Sequence, residues 1–144
     1  MEKIIVTNSN VETMNIGLRL SEVLLPGSVL LLTGDLGAGK TTLVRGLAKG
    51  LGIKEVVQSP TFNIMKVYLK AEKPLIHIDA YRLADINDDI GLDEYIGYES
   101  GITVIEWPDY IKNLIPDNAI SISIKHKGND VREITITSEE DLGL

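Results

Sequence analysis

Val29-Leu30-Leu31-Leu32-Thr33-Gly34-Asp35-Leu36-Gly37-Ala38-Gly39-Lys40-Thr41-Thr42 is the stretch on which the fold turns. Ser28 to Thr33 is an apolar run of strand length, as expected of a central strand covered on both faces. Gly34 through Thr41 then completes the pattern G-x-x-x-x-G-K-[ST]. Glycines let successive backbone N–H groups turn inward toward phosphate oxygens, where a Cβ would crowd the approach. Lys40 offers positive charge to β and γ phosphates, and Thr41 a hydroxyl to Mg²⁺. Lys40 to Leu51 reads as a helix whose N-terminus adds partial positive charge, with Gly52 just past its C-cap. Thr42 could reach the α-phosphate. An ordinary glycine turn would account for the glycines, but not for the strand, helix and Lys-Thr pair together. Gly34, Asp35, Leu36, Gly37, Ala38, Gly39, Lys40, Thr41 and Thr42 are therefore the candidate nucleotide-binding residues, with ATP and Mg²⁺ the expected ligands.

Upstream of this stretch, Lys3 to Thr7 reads as a strand, and Ser9 with Glu12 has capping-box spacing for a helix that ends near Leu25-Pro26-Gly27. Downstream, Ser59-Pro60-Thr61-Phe62 is a proline-marked loop. Phe62 to Leu69 and Leu75 to Asp79 read as an antiparallel hairpin across the polar turn Lys70 to Pro74. Residues 84–98 are acidic and irregular, with a short helix predicted near Leu92 to Ile96. Ile102 to Ile105 is a buried-type strand ending at Glu106, and Asp109 to Leu114 suits one or two helical turns. Ile120, Ile122 and Ile124 alternate with serines, and Ile134 and Ile136 with threonines. With Gly128-Asn129 between them they predict a final hairpin with one polar face. Residues 138–144 are expected to be a flexible acidic tail. The pattern predicts one α/β domain over residues 1–144. Its architecture would be a P-loop NTPase-like three-layer fold, a partly parallel central sheet extended by antiparallel strands.

The chain has 144 residues, a net charge of −7 and a pI near 4.8. It has no cysteine, which excludes disulfides, thiolate catalysis and zinc-thiolate sites. No run approaches the roughly 18 apolar residues of a membrane span. The N-terminus lacks the features of a signal peptide, so a cytoplasmic location and no membrane partner are expected. An acidic chain whose arginines are Arg19, Arg45, Arg82 and Arg132 is a poor stand-alone binder of nucleic acid. Any RNA in its biology is expected to be held by a partner.

Phosphoryl chemistry needs a second metal ligand and a group that positions the nucleophile. Glu106 ends a hydrophobic strand, where a carboxylate can reach Mg²⁺ directly or through water, or simply face solvent. Trp107 and Pro108 behind it could fix the turn, with Trp107 equally readable as packing. Asp79 could orient water or support the metal's ligands, or act as a cap or turn residue. His77 falls on the same strand face as Asp79 and is read as structural. Ser59 to Phe62 lies where switch I loops lie, and a hydroxyl there can sense a γ-phosphate. A plain proline turn is the other reading. Arg82 suits an electrostatic finger or a partner for Asp85. Asp85, Asp88, Asp89, Asp93 and Glu94 lack the calcium-loop pattern and suit a solvated face or a docking patch. Residues 8–10 and Arg132 are candidates for the base pocket.

Four motifs stand in order: Gly-Asp-Leu-Gly-Ala-Gly-Lys-Thr-Thr at 34–42, Ser-Pro-Thr-Phe at 59–62, His-Ile-Asp-Ala-Tyr-Arg-Leu at 77–83 and Val-Ile-Glu-Trp-Pro at 104–108. Together they resemble the TsaE (YjeE) family of bacterial ATPases over nearly the whole chain. The resemblance implies a part in forming threonylcarbamoyladenosine at position 37 of tRNAs that read codons beginning with A. It implies TsaB and TsaD as partners, with tRNA met through that assembly. It further implies that Thr41 and Glu106 bind Mg²⁺, that Asp79 is needed for hydrolysis and that Ser59, Pro60, Thr61 and Phe62 form switch I. Trp107 would lie near the nucleotide. The stretch after Tyr81-Arg82-Leu83 departs from the family, being rich in aspartate where glutamate is usual. Two other functions use the same loop: a small-molecule kinase and a non-hydrolysing ATP-dependent binding module. The arginine-poor composition and lack of a lid insertion speak against the kinase. No Asn-Lys-x-Asp or Thr-Lys-x-Asp motif is present to read guanine.

Overall fold

The computed structural model describes residues 1–35, 37–60, 64–81, 83 and 91–144. In chain order the elements are β1 (Glu2–Thr7), α1 (Asn10–Val23), β2 (Val29–Thr33), α2 (Lys40–Gly50), β3 (Met65–Tyr68), β4 (Leu75–Asp79), β5 (Ile102–Glu106), β6 (Ile120–His126) and β7 (Arg132–Thr137). Two 3₁₀ segments, Leu92–Glu94 and Pro108–Leu114, flank β5. Among the described residues all strands join one seven-stranded sheet in the order β1-β7-β6-β2-β5-β4-β3. β6, β2, β5 and β4 run parallel. The antiparallel pairs β3–β4, β6–β7 and β1–β7 extend that core on both sides. This is the P-loop NTPase-like arrangement that the patterning predicts.

Alternation sorts the side chains into two cores. On one face Leu30, Leu32, Val104, Ile122, Ile124, Ile134 and Ile136 cluster with Ile16 and Leu20 of α1 and Leu43, Val44 and Leu47 of α2. On the other, Val29, Ile76, Ile78 and Ile105 meet Leu92 and Ile111 of the 3₁₀ segments. The short helix predicted near Leu92 to Ile96 is thus a single 3₁₀ turn entered through Gly91 at φ 84°. The strand predicted from Phe62 begins at Met65, and Phe62 itself lies outside the described residues.

The capping box at α1 forms. Ser9 Oγ accepts the Glu12 N–H at 3.1 Å, while Glu12 Oε2 accepts the Asn8 N–H at 3.1 Å. The carboxylate therefore reaches one residue further upstream than the amide of Ser9. Residues 138–144, expected to be a flexible tail, include Leu142 and Leu144 partly buried against the larger core. The Met1 amino group donates to Ser138 O at 2.7 Å, and Ser138 N–H donates to Met1 O at 3.0 Å. These two bonds carry the β1–β7 pairing past Thr137, and the leucines add apolar contact that the acidic composition masks.

The helices of the larger core touch backbone to backbone. A Cβ on Gly46 would stand 1.9 Å from Met14 O, and one on Gly17 would stand 2.1 Å from Leu43 O. No side chain fits at either position without parting α1 from α2. Gly46→Ala is expected to cost about 1–3 kcal/mol through overpacking, read as a lower urea midpoint with an unchanged m-value.

Candidate functional site

Parallel pairing puts the C-terminal ends of β2, β5 and β4 on one edge of the sheet. The register sets Leu32 beside Glu106, and Glu106 beside Asp79. The glycine loop crosses that same edge between β2 and α2. Gly37 and Gly39 sit in the left-handed region at φ 80° and 109°, and Ala38 N–H closes a tight turn onto Asp35 O at 2.9 Å. A Cβ on Gly34 would come within 2.8 Å of Ile124 O, so the loop lies close against β6. A cavity of about 600 Å³ opens above, lined by Asp35, Gly37, Gly39, Lys40, Thr41 and Thr42 of the loop. Ser59, Asp79, Tyr81, Glu106, Trp107 and Arg132 complete its wall. Gly34 and the buried Ala38 support the loop from outside the lining. Leu36, Thr61, Phe62, Arg82, Asp85, Asp88 and Asp89 lie outside the described residues.

Glu106 is the hub of this cavity. Its Oε1 is 3.6 Å from Lys40 Nζ, and its Oε2 is 2.7 Å from His77 Nε2. Lys40 Nζ also lies 5.1 Å from the centre of the Trp107 ring, within cation–π range. Trp107 takes φ 58°, a left-handed conformation costly for a bulky residue. That turn sends the chain from β5 into Pro108 and swings the indole over the cavity rim, against Tyr81 at 5.0 Å. Asp79 is both a turn residue and part of the cavity wall. Its Oδ1 accepts the Tyr81 N–H at 3.0 Å as a turn residue, and it also lines the cavity. Ser59 reaches the wall from a segment anchored by buried Val57, whose carbonyl accepts from Arg45 Nε at 3.1 Å. Pro60 next to it is buried.

Arg132 approaches the loop from behind. Its Nη1 donates to Asn129 O at 2.9 Å and Val131 O at 3.2 Å, and its Nη2 lies 3.4 Å from Gly37 O. Of the base-pocket candidates, Arg132 lines the cavity. Residues 8–10 do not, and Asn8 and Ser9 instead serve the start of α1. Sequence reasoning overlooked Tyr81 and took His77 as structural. The same-face relation of His77 to Asp79 was legible, but the β4–β5 register that carries it to Glu106 was not.

Thr41, Asp79 and Glu106 offer hard oxygen donors suited to Mg²⁺ when a ligand's phosphate oxygens complete the shell. Among the described residues no group of three His, Cys, Asp or Glu is placed to hold an ion by itself. The start of α2 at Lys40 presents a helix N-terminus, whose backbone amides can hold an anion.

A seven-stranded, partly parallel sheet with a glycine loop between its central strand and a helix, facing carboxylates on two neighbouring strand ends, defines a P-loop NTPase-like protein. The model of the family described as threonylcarbamoyl adenosine biosynthesis protein TsaE matches residues 7–134, and the chain belongs to that family. A Bacillus subtilis protein named tRNA threonylcarbamoyladenosine biosynthesis protein TsaE is 50% identical over 113 residues, covering 78% of this chain and 71% of that relative. A Treponema pallidum protein of the same name is 41% identical over 133 residues, covering 91% and 97%. The crystal structure of Bacillus subtilis YdiB superposes with a TM-score of 0.81 at 37% identity, covering 97% of this chain and 87% of that one. Among the described residues no helix is long and apolar enough to cross a membrane.

The Asp79–Tyr81 contact separates structure from chemistry. Asp79→Ala is expected to lower stability by about 1 kcal/mol through the lost hydrogen bond. Asp79→Asn, which keeps an acceptor oxygen for the Tyr81 N–H, should lower the calorimetric midpoint less than Asp79→Ala does.

Proposed function

We propose that this chain is the ATP-binding, Mg²⁺-dependent ATP-hydrolysing subunit required for threonylcarbamoyladenosine formation at position 37 of tRNAs that read codons beginning with A. It would act in the cytoplasm with TsaB and TsaD. The observation that carries this reading is the meeting of Lys40, Thr41, Asp79 and Glu106 on one cavity beside the glycine loop. The family and its named relatives supply the biosynthetic setting.

In this reading the loop amides cradle the β and γ phosphates, and Lys40 exchanges Glu106 for phosphate oxygen. Thr41 and Glu106 would hold Mg²⁺, which when bound would supply positive charge beside the phosphates. Asp79 orients the attacking water, and Thr42 supports the α-phosphate. Ser59, with Pro60, Thr61 and Phe62, forms switch I. Trp107 and Tyr81 screen the phosphate end of the cavity from bulk water. With a net charge of −7, the chain meets tRNA through its partners.

The test is phosphate release by the purified chain alone, then with TsaB, TsaD and tRNA. Slow turnover alone and faster turnover in the assembly are expected. Glu106→Gln and Asp79→Asn should each lose about 10²-fold in turnover, and Lys40→Ala should lose nucleotide binding. Phosphate transferred to a metabolite would replace this reading with a kinase. Assembly and tRNA modification that survive both carboxylate variants would replace it with a non-hydrolysing module.

A further inference from the structure

We infer that His77 is a positioning residue that fixes the carboxylate of Glu106 for the metal–nucleotide site, an inference that rests on the proposed metal role of Glu106. His77 is fully buried in β4, with Val104 as its partner across the strand pair. An aliphatic side chain would suit that position by packing alone. Among the described residues the imidazole instead makes a single polar contact, Nε2 to Glu106 Oε2 at 2.7 Å, and its buried Nδ1 has no partner. A carboxylate can only accept, so Nε2 donates the hydrogen of this bond. A polar group kept inside at the cost of an unmatched atom has its reason in the one bond it makes.

That bond differs in kind from the other contact of Glu106. Lys40 meets Oε1 at 3.6 Å from the cavity side, and must leave it to reach a phosphate. His77 meets Oε2 at 2.7 Å from inside the sheet, where no ligand competes. When Lys40 departs, a glutamate with three side-chain torsions would be free to swing. The His77 bond holds one oxygen in the interior and leaves Oε1 facing the cavity. His77 thus orients the carboxylate without touching nucleotide or metal.

The experiment measures ATP affinity by calorimetry with Mg²⁺ and with EDTA, for the wild-type chain and for His77→Leu, His77→Asn and His77→Gln. Leu and Asn should each lose about tenfold of the Mg²⁺-dependent gain in affinity, the scale seen when a group orienting a metal ligand is removed. Affinity in EDTA should not change. Gln places an amide N–H near the position of Nε2 and should restore most of the gain, whereas the shorter Asn cannot reach. The Asn and Gln pair decides the matter even if the Leu chain does not fold. In a Glu106→Gln background, the His77 substitutions should have no further effect on the gain. A full Mg²⁺ gain in His77→Asn, no recovery in His77→Gln, or equal losses with and without Mg²⁺ would overturn the inference alone. A wild-type chain with no Mg²⁺ gain would overturn the proposed function as well.

Discussion

The parallel pairing of β2 with β5 is the constraint from which the site follows. One register places Leu32, the residue before the end of β2, beside Glu106 at the end of β5. The glycine loop begins where β2 stops, so the same hydrogen bonds that build the sheet deliver a carboxylate to the loop's lysine. β4 adds Asp79 by the identical device, one strand further out. A slip of one residue in either pair would turn Glu106 or Asp79 to the opposite face of the sheet and dismantle the cavity. The buried isoleucines of β4 and β5 forbid that slip, because it would carry polar residues into both cores.

Among the described lining residues, two cations meet three carboxylates. Lys40 and Arg132 stand among Asp35, Asp79 and Glu106, in a chain that is strongly acidic overall. Lys40 is paired with Glu106 and covered by Trp107, so its charge is held ready in a partly desolvated setting. Arg132 spends its guanidinium on loop and turn carbonyls, Gly37 O among them, so its contribution includes the shape of the loop.

Much of this was legible in the residues alone. The apolar run into Gly34 to Thr41 marked the central strand and its helix, and serine and threonine alternation marked the last hairpin. Ser9 and Glu12 marked the start of α1. These are local signals, carried by propensity and period. What escaped were facts of register and long-range packing. His77 looked structural because nothing near it in sequence says that β4 lies beside β5. Tyr81 gave no sign of meeting Trp107, and the acidic end of the chain concealed the two leucines that pack. The αL turn at Trp107 had no sequence marker either, since glycine or asparagine is the usual signal for such a backbone.

The contact of α1 with α2 through Gly17 and Gly46 has a mechanical side. α2 starts at Lys40, and at 1.5 Å per residue Gly46 lies only about 9 Å along its axis from that lysine. At these two glycines backbone rests on backbone with no side chain between, so α2 behaves as a short lever clamped near its working end. The displacement forced by a side chain introduced at either glycine would be transmitted along that lever to the glycine loop.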